Sequence, residues 1–272
     1  MNFLEKCKIQ KFISLIINME ICVLASGSSG NCFYIENKNQ GILIDAGIST
    51  KQIVNRLFSI GKNPLNIKGV FITHEHSDHV KGADFFARKF NVPIFATRKT
   101  IESCSLCSEP NLINRIKNNE LTRICGMDVE AFSKSHRAAD PVSFNIYNKK
   151  KISIMTDIGY ACQNVIDNVH DSDFLCLESN YDPEMLKNGG YPYFLKKWIE
   201  SDIGHLSNEN SANCVFENAS SKLKYLVLSH LSKNNNTPST ALDSFGLLKK
   251  RKNFSPKVFV SEREMPTRVF CV

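Results

Sequence analysis

Four side chains that can bind a metal ion fall within six consecutive residues of this chain, in the segment Thr73–His79. The segment follows the apolar run Val70–Ile72, which is typical of a strand that ends where a buried sheet meets solvent. His74 and His76 lie two residues apart, and in an extended backbone their imidazoles project to the same side. This spacing predicts a pair of ligands for one ion.

Asp78 and His79 follow immediately, where the sequence changes to a helical pattern over residues 80–87. They leave the backbone in a different direction from the first pair, which predicts a second ion beside the first. The alternative interpretation is a solvated surface loop with three histidines. That alternative does not explain why four of six consecutive side chains are of ligand type.

Three further residues of ligand type, His136, Asp157 and His230, each lie at the end of an apolar run that reads as a strand. Because the ends of neighbouring strands converge at one edge of a sheet, we expect them to join the first segment. A lone histidine is more often structural than a ligand, but the complete set favours two ions. We expect one ion on His74, His76 and His136, the other on Asp78, His79 and His230, and Asp157 bridging them.

An acid also ends the strand-like run 41–44, where Asp45 precedes Gly47. Two interpretations of this acid remain open. Its carboxylate either supports a metal-bound histidine from behind or caps the helix predicted over residues 51–60.

The rest of the chain predicts the elements that position these residues. Runs 21–24 and 32–35 read as strands joined by a turn rich in glycine and serine, which we interpret as a tight hairpin. A phosphate-binding loop is disfavoured because a strand, and not a helix, follows the turn. Strands and helices then alternate to a last strand over 257–260, after a helix over 237–250. This order favours two sheets packed face to face with helices outside.

Composition sets weaker bounds. The 272 residues, 42% of them hydrophobic, suffice for one large α/β domain or two small ones. The 34 Lys and Arg against 27 Asp and Glu give a charge of +7, which is compatible with a polyanionic substrate without requiring one. The basic runs, such as 149–151 and 249–252, are more typical of solvated surface.

The 10 cysteines are scattered and no secretory signal precedes them, so a disulfide framework is disfavoured and a reducing cytoplasm is expected. The pair Cys104 and Cys107 lacks a second pair and is interpreted as incidental or structural. No run reaches the roughly 20 apolar residues of a membrane-spanning helix, so we expect no membrane partner. We interpret residues 1–18 as an N-terminal extension and 19–272 as a single domain.

The pattern His-x-His-x-Asp-His, followed by His136, Asp157 and His230, resembles the metallo-β-lactamase superfamily across residues 19–272. The resemblance implies an α/β fold, the αββα sandwich, in which two mixed sheets pack face to face with helices outside. The segment Ile44–Gly47 also matches a segment of that family. The resemblance implies that its acid, here Asp45, supports a metal-bound histidine from behind.

Within the superfamily, residues 25–31, 178–180, 190–193, 204–208 and 229–235 look like the YycJ/WalJ branch. This resemblance implies a phosphodiesterase rather than a lactamase or thioesterase, and more specifically a DNA exonuclease acting 5′ to 3′ on duplex DNA. The sequence departs from the branch at Arg137, where an acid is usual, and at Tyr181, where a histidine is usual. Both departures concern substrate contacts and not predicted ligands.

The expected cofactor is a pair of divalent ions, zinc or manganese, which lower the pKa of a bridging water. We expect Asp78 to orient the resulting hydroxide and accept its proton. His205 lies in a segment similar to the Gly-His-Ser segment of tRNA-processing relatives and is expected to protonate the leaving oxygen, or alternatively to cap a helix or contact phosphate. The candidate substrate contacts are Ser28, Asn31, Asn180, Ser207 and Asn208.

Other functions remain open. An RNase or a hydrolase of small cyclic phosphates would share the two-ion centre, although no insertion domain of the kind that tRNA-processing relatives carry is evident. A regulatory or DNA-binding protein that has lost turnover is a different class, and the intact set of seven ligands argues against it. The expected partner is nucleic acid, with DNA favoured over RNA, and the oligomeric state is left open.

Overall fold

The computed structural model describes residues 19–246 and 256–272. Within these ranges, two seven-stranded sheets lie face to face and helices cover both outer surfaces. The αββα sandwich expected from the sequence is confirmed. The predicted extension over 1–18 and part of the predicted helix over 237–250 lie outside the described residues.

The first half of the described chain supplies the first sheet and its helices. Its strands are β1 (Glu20–Ala25), β2 (Cys32–Asn37), β3 (Gln40–Ile44), β4 (Ile67–Phe71), β5 (Ile94–Thr97) and β6 (Ile113–Ile116). Its helices are α1 (Thr50–Ser59), α2 (Ser77–Val80), α3 (Ala83–Phe90) and α4 (Arg98–Ser103), with short 3₁₀ turns at Pro64–Asn66 and Pro110–Leu112.

The second half supplies the other sheet. Its strands are β7 (Leu121–Ile124), β8 (Met127–Ser133), β9 (Val142–Asn148), β10 (Lys150–Met155), β11 (Phe174–Glu178), β12 (Tyr225–Ser229) and β13 (Lys257–Val260). Its helices are α5 (Gln163–Asp171), α6 (Pro183–Asn188), α7 (Tyr193–Ile199), α8 (Asn208–Asn218) and α9 (Pro238–Ser244). The last strand, β14 (Phe270–Cys271), returns to the first sheet.

Strand order explains why the ligand-type residues meet. The first sheet runs β14-β1-β2-β3-β4-β5-β6 and the second runs β13-β12-β11-β10-β9-β8-β7. In the second sheet β10, β11, β12 and β13 are parallel neighbours, so their carboxyl ends share one edge. In the first sheet β3 and β4 are also parallel neighbours. The loops that follow these strands therefore converge.

Three apolar layers hold the sandwich together. Residues such as Phe33, Phe71 and Phe144 fill the space between the sheets. Helices α1 and α3 cover the outer face of the first sheet through Ile53 and Phe86, among others. Helices α5, α8 and α9 cover the outer face of the second sheet in the same way. Because all three layers are closely packed, the strand ends hold the loops that follow them in fixed positions.

Several predicted elements are confirmed, and the boundaries of others shift. The hairpin between β1 and β2 is antiparallel as predicted, and the helix predicted over residues 51–60 is present as α1. The helical pattern predicted over residues 80–87 is divided between α2 and α3, and the helix predicted over 237–250 is described only as Pro238–Ser244. Strand β14 was not predicted, because its two residues carry no periodic pattern.

The basic runs of the sequence form ion pairs at the surface of the described residues. Several lysines of the basic runs pair with acids, including Lys150 with Asp173 at 2.7 Å and Lys197 with Glu200 at 2.9 Å. Those runs therefore form mixed-charge surface. Among the described helices, none has the length and apolar character needed to span a bilayer. The run 249–252 lies outside the described residues.

Candidate metal centre

The first cluster of ligand-type side chains consists of His74, His76 and His136. His74 follows β4 and is fully buried, while His76 has an extended backbone directly before α2. Nε2 of His74 lies 3.0 Å from Nδ1 of His76, and Nε2 of His136 lies 3.4 Å from the same atom. One ligand atom from each residue lies within 4.8 Å of the others, a spacing that suits one ion.

The second cluster consists of Asp78, His79, Asp157 and His230. Nε2 of His79 lies 3.1 Å from Oδ2 of Asp157 and 3.5 Å from Oδ2 of Asp78. Nε2 of His230 lies 3.5 Å from Oδ1 of Asp157 and 3.7 Å from Oδ2 of Asp78. The structure thus brings together all seven residues that the sequence proposed as ligands.

Asp157 also connects the two clusters. Its Oδ1 lies 3.8 Å from Nε2 of His136, while its Oδ2 faces His79. This carboxylate therefore stands between the groups expected to hold separate ions, which is the position that a bridging ligand requires.

The hydrogen bonding of two buried atoms indicates whether a cation fits between these side chains. Oδ2 of Asp157 and Nε2 of His230 have no aligned hydrogen-bond partner among the described residues, although both belong to nearly fully buried side chains. An unsatisfied buried polar atom costs about 1–3 kcal/mol, and more when it is charged. Both atoms point into a cluster of imidazole and carboxylate donors, so divalent cations fit the site.

The backbone turns sharply at three strand ends that supply this site. Asp45, Asp157 and His230 follow β3, β10 and β12 and have φ values of 59°, 56° and 58°. This left-handed region is uncommon for residues other than glycine. Retention of this backbone strain at three site residues is typical of functional positions, where the surrounding structure fixes the side chains.

Asp45 supports the second cluster from behind. Its Oδ2 lies 2.7 Å from Nδ1 of His79, and it accepts hydrogen bonds from the backbone and hydroxyl of Thr73. The alternative role as a helix cap is wrong, because Ser49 caps α1 in a capping box with Gln52. Asp45 therefore fixes the ring orientation of His79 and directs its Nε2 to the cluster.

Glu178 is a site residue that sequence reasoning missed. It ends β11, between the strands that carry Asp157 and His230, and it is fully buried. Its Oε1 lies 2.9 Å from Nδ1 of His205 and 2.8 Å from Nδ1 of His230. Its position as an acid after an apolar strand, like Asp157, was the signal that could have identified it.

Glu178 is grouped with Asp157, His205 and His230 as a further set of closely spaced metal-capable atoms. Its oxygens are already engaged, however, because Oε2 accepts from the backbone N–H groups of Ile158 and Leu206. Glu178 therefore acts as a hydrogen-bonding clamp on two imidazoles and not as a third ion site.

Electrostatics set the protonation of the clusters. Burial holds the pKa of His74 well below its usual value and lowers the pKa of His136 to about 4, so both rings are neutral and free to bind a cation. Burial opposes ionisation of Asp157 and Glu178, but the neighbouring histidines outweigh it. The pKa of Asp157 falls well below its usual value, and that of Glu178 falls to about 2.

A cavity of about 270 Å³ opens beside the two clusters. His205, Asn180 and Ser28, three residues proposed from the sequence, line it. Asn180 also donates from its amide to the carbonyl of His230 at 2.7 Å, so it positions a ligand as well as facing the cavity.

The structure does not place the other proposed substrate contacts in this cavity. Asn31 is fully buried, and its backbone N–H donates to the carbonyl of Asp78 at 2.8 Å. Ser207 caps α8, and Asn208 exchanges hydrogen bonds with Asn236 beneath the site. These three residues hold the loops in place, as polar side chains at turns and helix starts often do.

A larger cleft of about 640 Å³ adjoins the cavity, and Ser28 and Tyr191 line both. Its other lining residues include Ser29, Lys233 and Asn234, which offer hydroxyl, ammonium and amide groups. The space beside the clusters therefore continues past Ser28 into a cleft with polar groups on its lining.

Comparisons with known proteins identify the family of this chain. A family model described as the metallo-β-lactamase superfamily matches residues 25–116. The chain is 35% identical over 231 residues to the exodeoxyribonuclease WalJ of Streptococcus pneumoniae, covering 83% of this chain and 86% of that protein. It is 32% identical over 267 residues to the exodeoxyribonuclease YycJ of Bacillus anthracis, covering 93% and 99%.

Among solved structures, the metallo-β-lactamase fold protein YhfI from Bacillus subtilis is similar with a TM-score of 0.68 at 12% identity. The match covers 92% of this chain and 99% of that chain. This likeness concerns the fold alone, and it extends over both sheets.

Proposed function

Because the chain belongs to the metallo-β-lactamase superfamily and, within it, to the family of the exodeoxyribonucleases WalJ and YycJ, we propose that it is a two-ion phosphodiesterase that degrades DNA from an end. The observation that carries the proposal is the convergence of seven ligand-type side chains beside a cavity that continues into a polar cleft. The polarity predicted from the sequence, 5′ to 3′ on duplex DNA, is part of the proposal.

The two clusters would each hold one divalent ion, with Asp157 between them. When bound, such ions supply an activated water at neutral pH and neutralise charge that develops on the phosphoryl group. Five imidazoles and two carboxylates suit zinc, while the carboxylates also admit manganese. We propose that either ion supports activity.

Asp78 is the proposed acceptor of the proton of the attacking water. Its side chain is partly exposed and lines the cavity, while its Oδ2 faces His79 and His230. A carboxylate held in this way by one oxygen can use the other to orient and deprotonate a nucleophile in the cavity.

His205 is the proposed donor of a proton to the leaving oxygen. Its Nδ1 is engaged by Glu178, which leaves Nε2 as the nitrogen available to a substrate in the cavity that it lines. The ring also packs edge-on against Trp198, with centroids 5.6 Å apart. These two contacts fix the ring orientation that proton transfer requires.

The adjoining cleft favours a polymer over a small cyclic phosphate. A small substrate would use the 270 Å³ cavity alone, whereas a nucleic-acid strand would continue past Ser28 into the 640 Å³ cleft. Ser28 is exposed at the junction, where its hydroxyl can donate to a phosphate oxygen. The nine described cysteines are all free, in keeping with the proposed cytoplasmic location.

A panel of DNA and RNA substrates tests the proposal. Purified protein with Zn²⁺ or Mn²⁺ is incubated with linear duplex and single-stranded DNA labelled at either end, with matched RNA, and with closed circular DNA. We expect linear DNA to shorten from its 5′ end while the closed circle stays intact. Cleavage of the circle would contradict an exonuclease, and hydrolysis of RNA alone would contradict the proposed substrate.

A further inference from the structure

Helix α7 leaves two neighbouring aromatic rings in water beside the metal centre. Tyr193 and Phe194 are each 75% exposed, more than any other large hydrophobic side chain among the described residues. Exposed aromatic pairs of this kind are uncommon unless they contact a partner, because burial of an aromatic side chain is strongly favourable. A function that covers these rings is therefore expected.

The same helix forms a wall of the metal cavity. Leu195, Trp198 and Ile199 line the cavity from α7, and Tyr191 lines it from the residues just before the helix. Because residues four apart lie on the same side of a helix, Phe194 lies one turn from Trp198 and flanks the cavity wall. A ligand that contacts Phe194 can therefore extend into the cavity.

The charges around the two rings suit a polyanion. Lys196 and Lys197 follow them on the same helix, and Nζ of Lys197 lies 5.7 Å from the centroid of the Tyr193 ring while it also pairs with Glu200 at 2.9 Å. Lys196 has no carboxylate partner within ion-pair distance among the described residues, and its Nζ donates to the carbonyl of Lys187 at 2.7 Å. Aromatic rings interleaved with lysines are the combination that single-stranded nucleic acid binds by stacking and charge.

We propose that α7 is a base-stacking platform, on which Phe194 stacks with a nucleobase next to the phosphodiester in the metal centre and Tyr193 contacts a further base. This inference rests on the proposed function. It adds that the protein binds the nucleobases of the DNA strand as well as its phosphodiester. A nucleobase offers a flat face of any sequence, so the platform would hold the strand end without selecting a sequence. Trp198 of the same helix packs edge-on against His205, so the platform helix contacts the proposed acid.

The test compares natural and abasic substrates on the metal-loaded enzyme. KM is measured for linear duplex DNA with a single-stranded 5′ end and for the same DNA with abasic residues next to the cleaved bond of that end. We expect Phe194→Ala to raise KM for the natural substrate by about 5- to 100-fold, the range typical of one lost base stack. For the abasic substrate, the wild type and the variant should have the same KM, because neither can stack.

Two matched variants separate stacking from general surface effects. Phe194→Tyr keeps a ring and should restore the KM of the wild type. Phe85→Ala removes another exposed phenylalanine, 57% exposed, on α3, which does not line the cavity, and should leave KM unchanged. Equal KM values for wild type and Phe194→Ala on the natural substrate would overturn the platform.

The outcome also distinguishes the platform from the proposed function itself. If the wild type cleaves DNA but Phe194→Ala has no effect on KM, the proposed function stands and the platform is wrong. If the wild type cleaves no nucleic acid with any divalent metal, the proposed function fails first. If Phe194→Ala changes only the sedimentation of the protein, the rings are a contact between copies of the chain and the platform is again wrong.

Discussion

Glu178 holds His230 by its Nδ1 at 2.8 Å, so that the opposite nitrogen of the ring, Nε2, faces Asp78 and Asp157. An ionised carboxylate only accepts hydrogen bonds, so Nδ1 of His230 carries a proton. Burial opposes the charged ring, but Asp157, Asp78 and Glu178 outweigh it and raise the pKa of His230 to about 10, so a cation that binds Nε2 must displace a proton from that nitrogen. The same oxygen of Glu178 holds His205 at 2.9 Å. The buried carboxylate of Glu178 therefore orients both His230, a proposed metal ligand, and His205, the proposed proton donor.

Replacement of this acid should weaken the metal centre without removing a ligand. In Glu178→Gln one carboxylate oxygen becomes an NH2 group, so either the two imidazoles or the two backbone N–H groups lose their acceptor. We therefore expect affinity for Zn²⁺ to fall by about 10- to 100-fold. Titration against a competing chelator measures the change. Glu184→Gln, an exposed acid on α6, is the matched control. Unchanged affinity in Glu178→Gln would show that the clamp does not orient His230.

A glycine beside Asp78 should be essential for the second cluster. A Cβ at Gly47 would lie 1.7 Å from the carbonyl oxygen of Asp78 and 2.7 Å from the backbone nitrogen of Asn31. Because backbone atoms block the space, Gly47→Ala must displace the segment that carries Asp78 and His79. We expect loss of metal from the second cluster and a destabilisation of about 1–3 kcal/mol, measured by metal analysis and denaturant unfolding.

The control for Gly47 is a glycine with open space. At Gly246 an added Cβ meets no described atom within 4 Å, so Gly246→Ala should keep both metal content and stability. Normal metal content in Gly47→Ala would contradict the close approach of the two loops.

His205 should contribute to leaving-group protonation and not to metal binding. We expect His205→Gln to lower kcat on DNA by about 10²- to 10⁴-fold while metal content stays normal. A phosphodiester with a nitrophenolate leaving group needs little protonation, so the variant should cleave it nearly as fast as the wild type does. An equal loss on both substrates would instead indicate that His205 organises the site or contacts phosphate.

Metal removal should destabilise the fold as well as stop hydrolysis. Two carboxylates and five imidazoles converge at the site, and two of their buried atoms have no aligned hydrogen-bond partner among the described residues. Saturating metal at 1,000 times its Kd would stabilise the native state by about 4 kcal/mol per site. We expect a chelator to lower Tm and added Zn²⁺ or Mn²⁺ to restore it. A Tm that does not respond to metal would contradict the fit of cations to these clusters.

The sequence predicted the fold class and the seven clustered residues because both leave strong local signals. Alternating strands and helices predict layers, and ligand types such as His74, His76 and Asp157 at strand ends predict convergence. Glu178 gave a weaker signal, since a single acid after an apolar strand has many uses. Its role depends on β11 lying between β10 and β12, a strand order that periodicity does not reveal.

The proposed substrate contacts show a second limit of sequence reasoning. Asn31 and Asn208 have the polar side chains expected of a binding loop, but they are buried in hydrogen bonds that join loops far apart in the chain. Conversely, the sequence does not single out Phe194 as a candidate contact. Its exposure beside the cavity is evident only after the helix is placed.

The most direct test of the two-ion account is a titration of the metal-free protein with Mn²⁺ or Zn²⁺ while cleavage of end-labelled duplex DNA is recorded. We predict no cleavage without metal, full activity when about two ions are bound per chain, and none in Asp157→Asn, which lacks the bridging carboxylate. The control Asp171→Asn, an exposed acid that pairs with Lys222 at 3.2 Å, should behave as the wild type. Cleavage by the metal-free protein, or full activity in Asp157→Asn, would contradict the account.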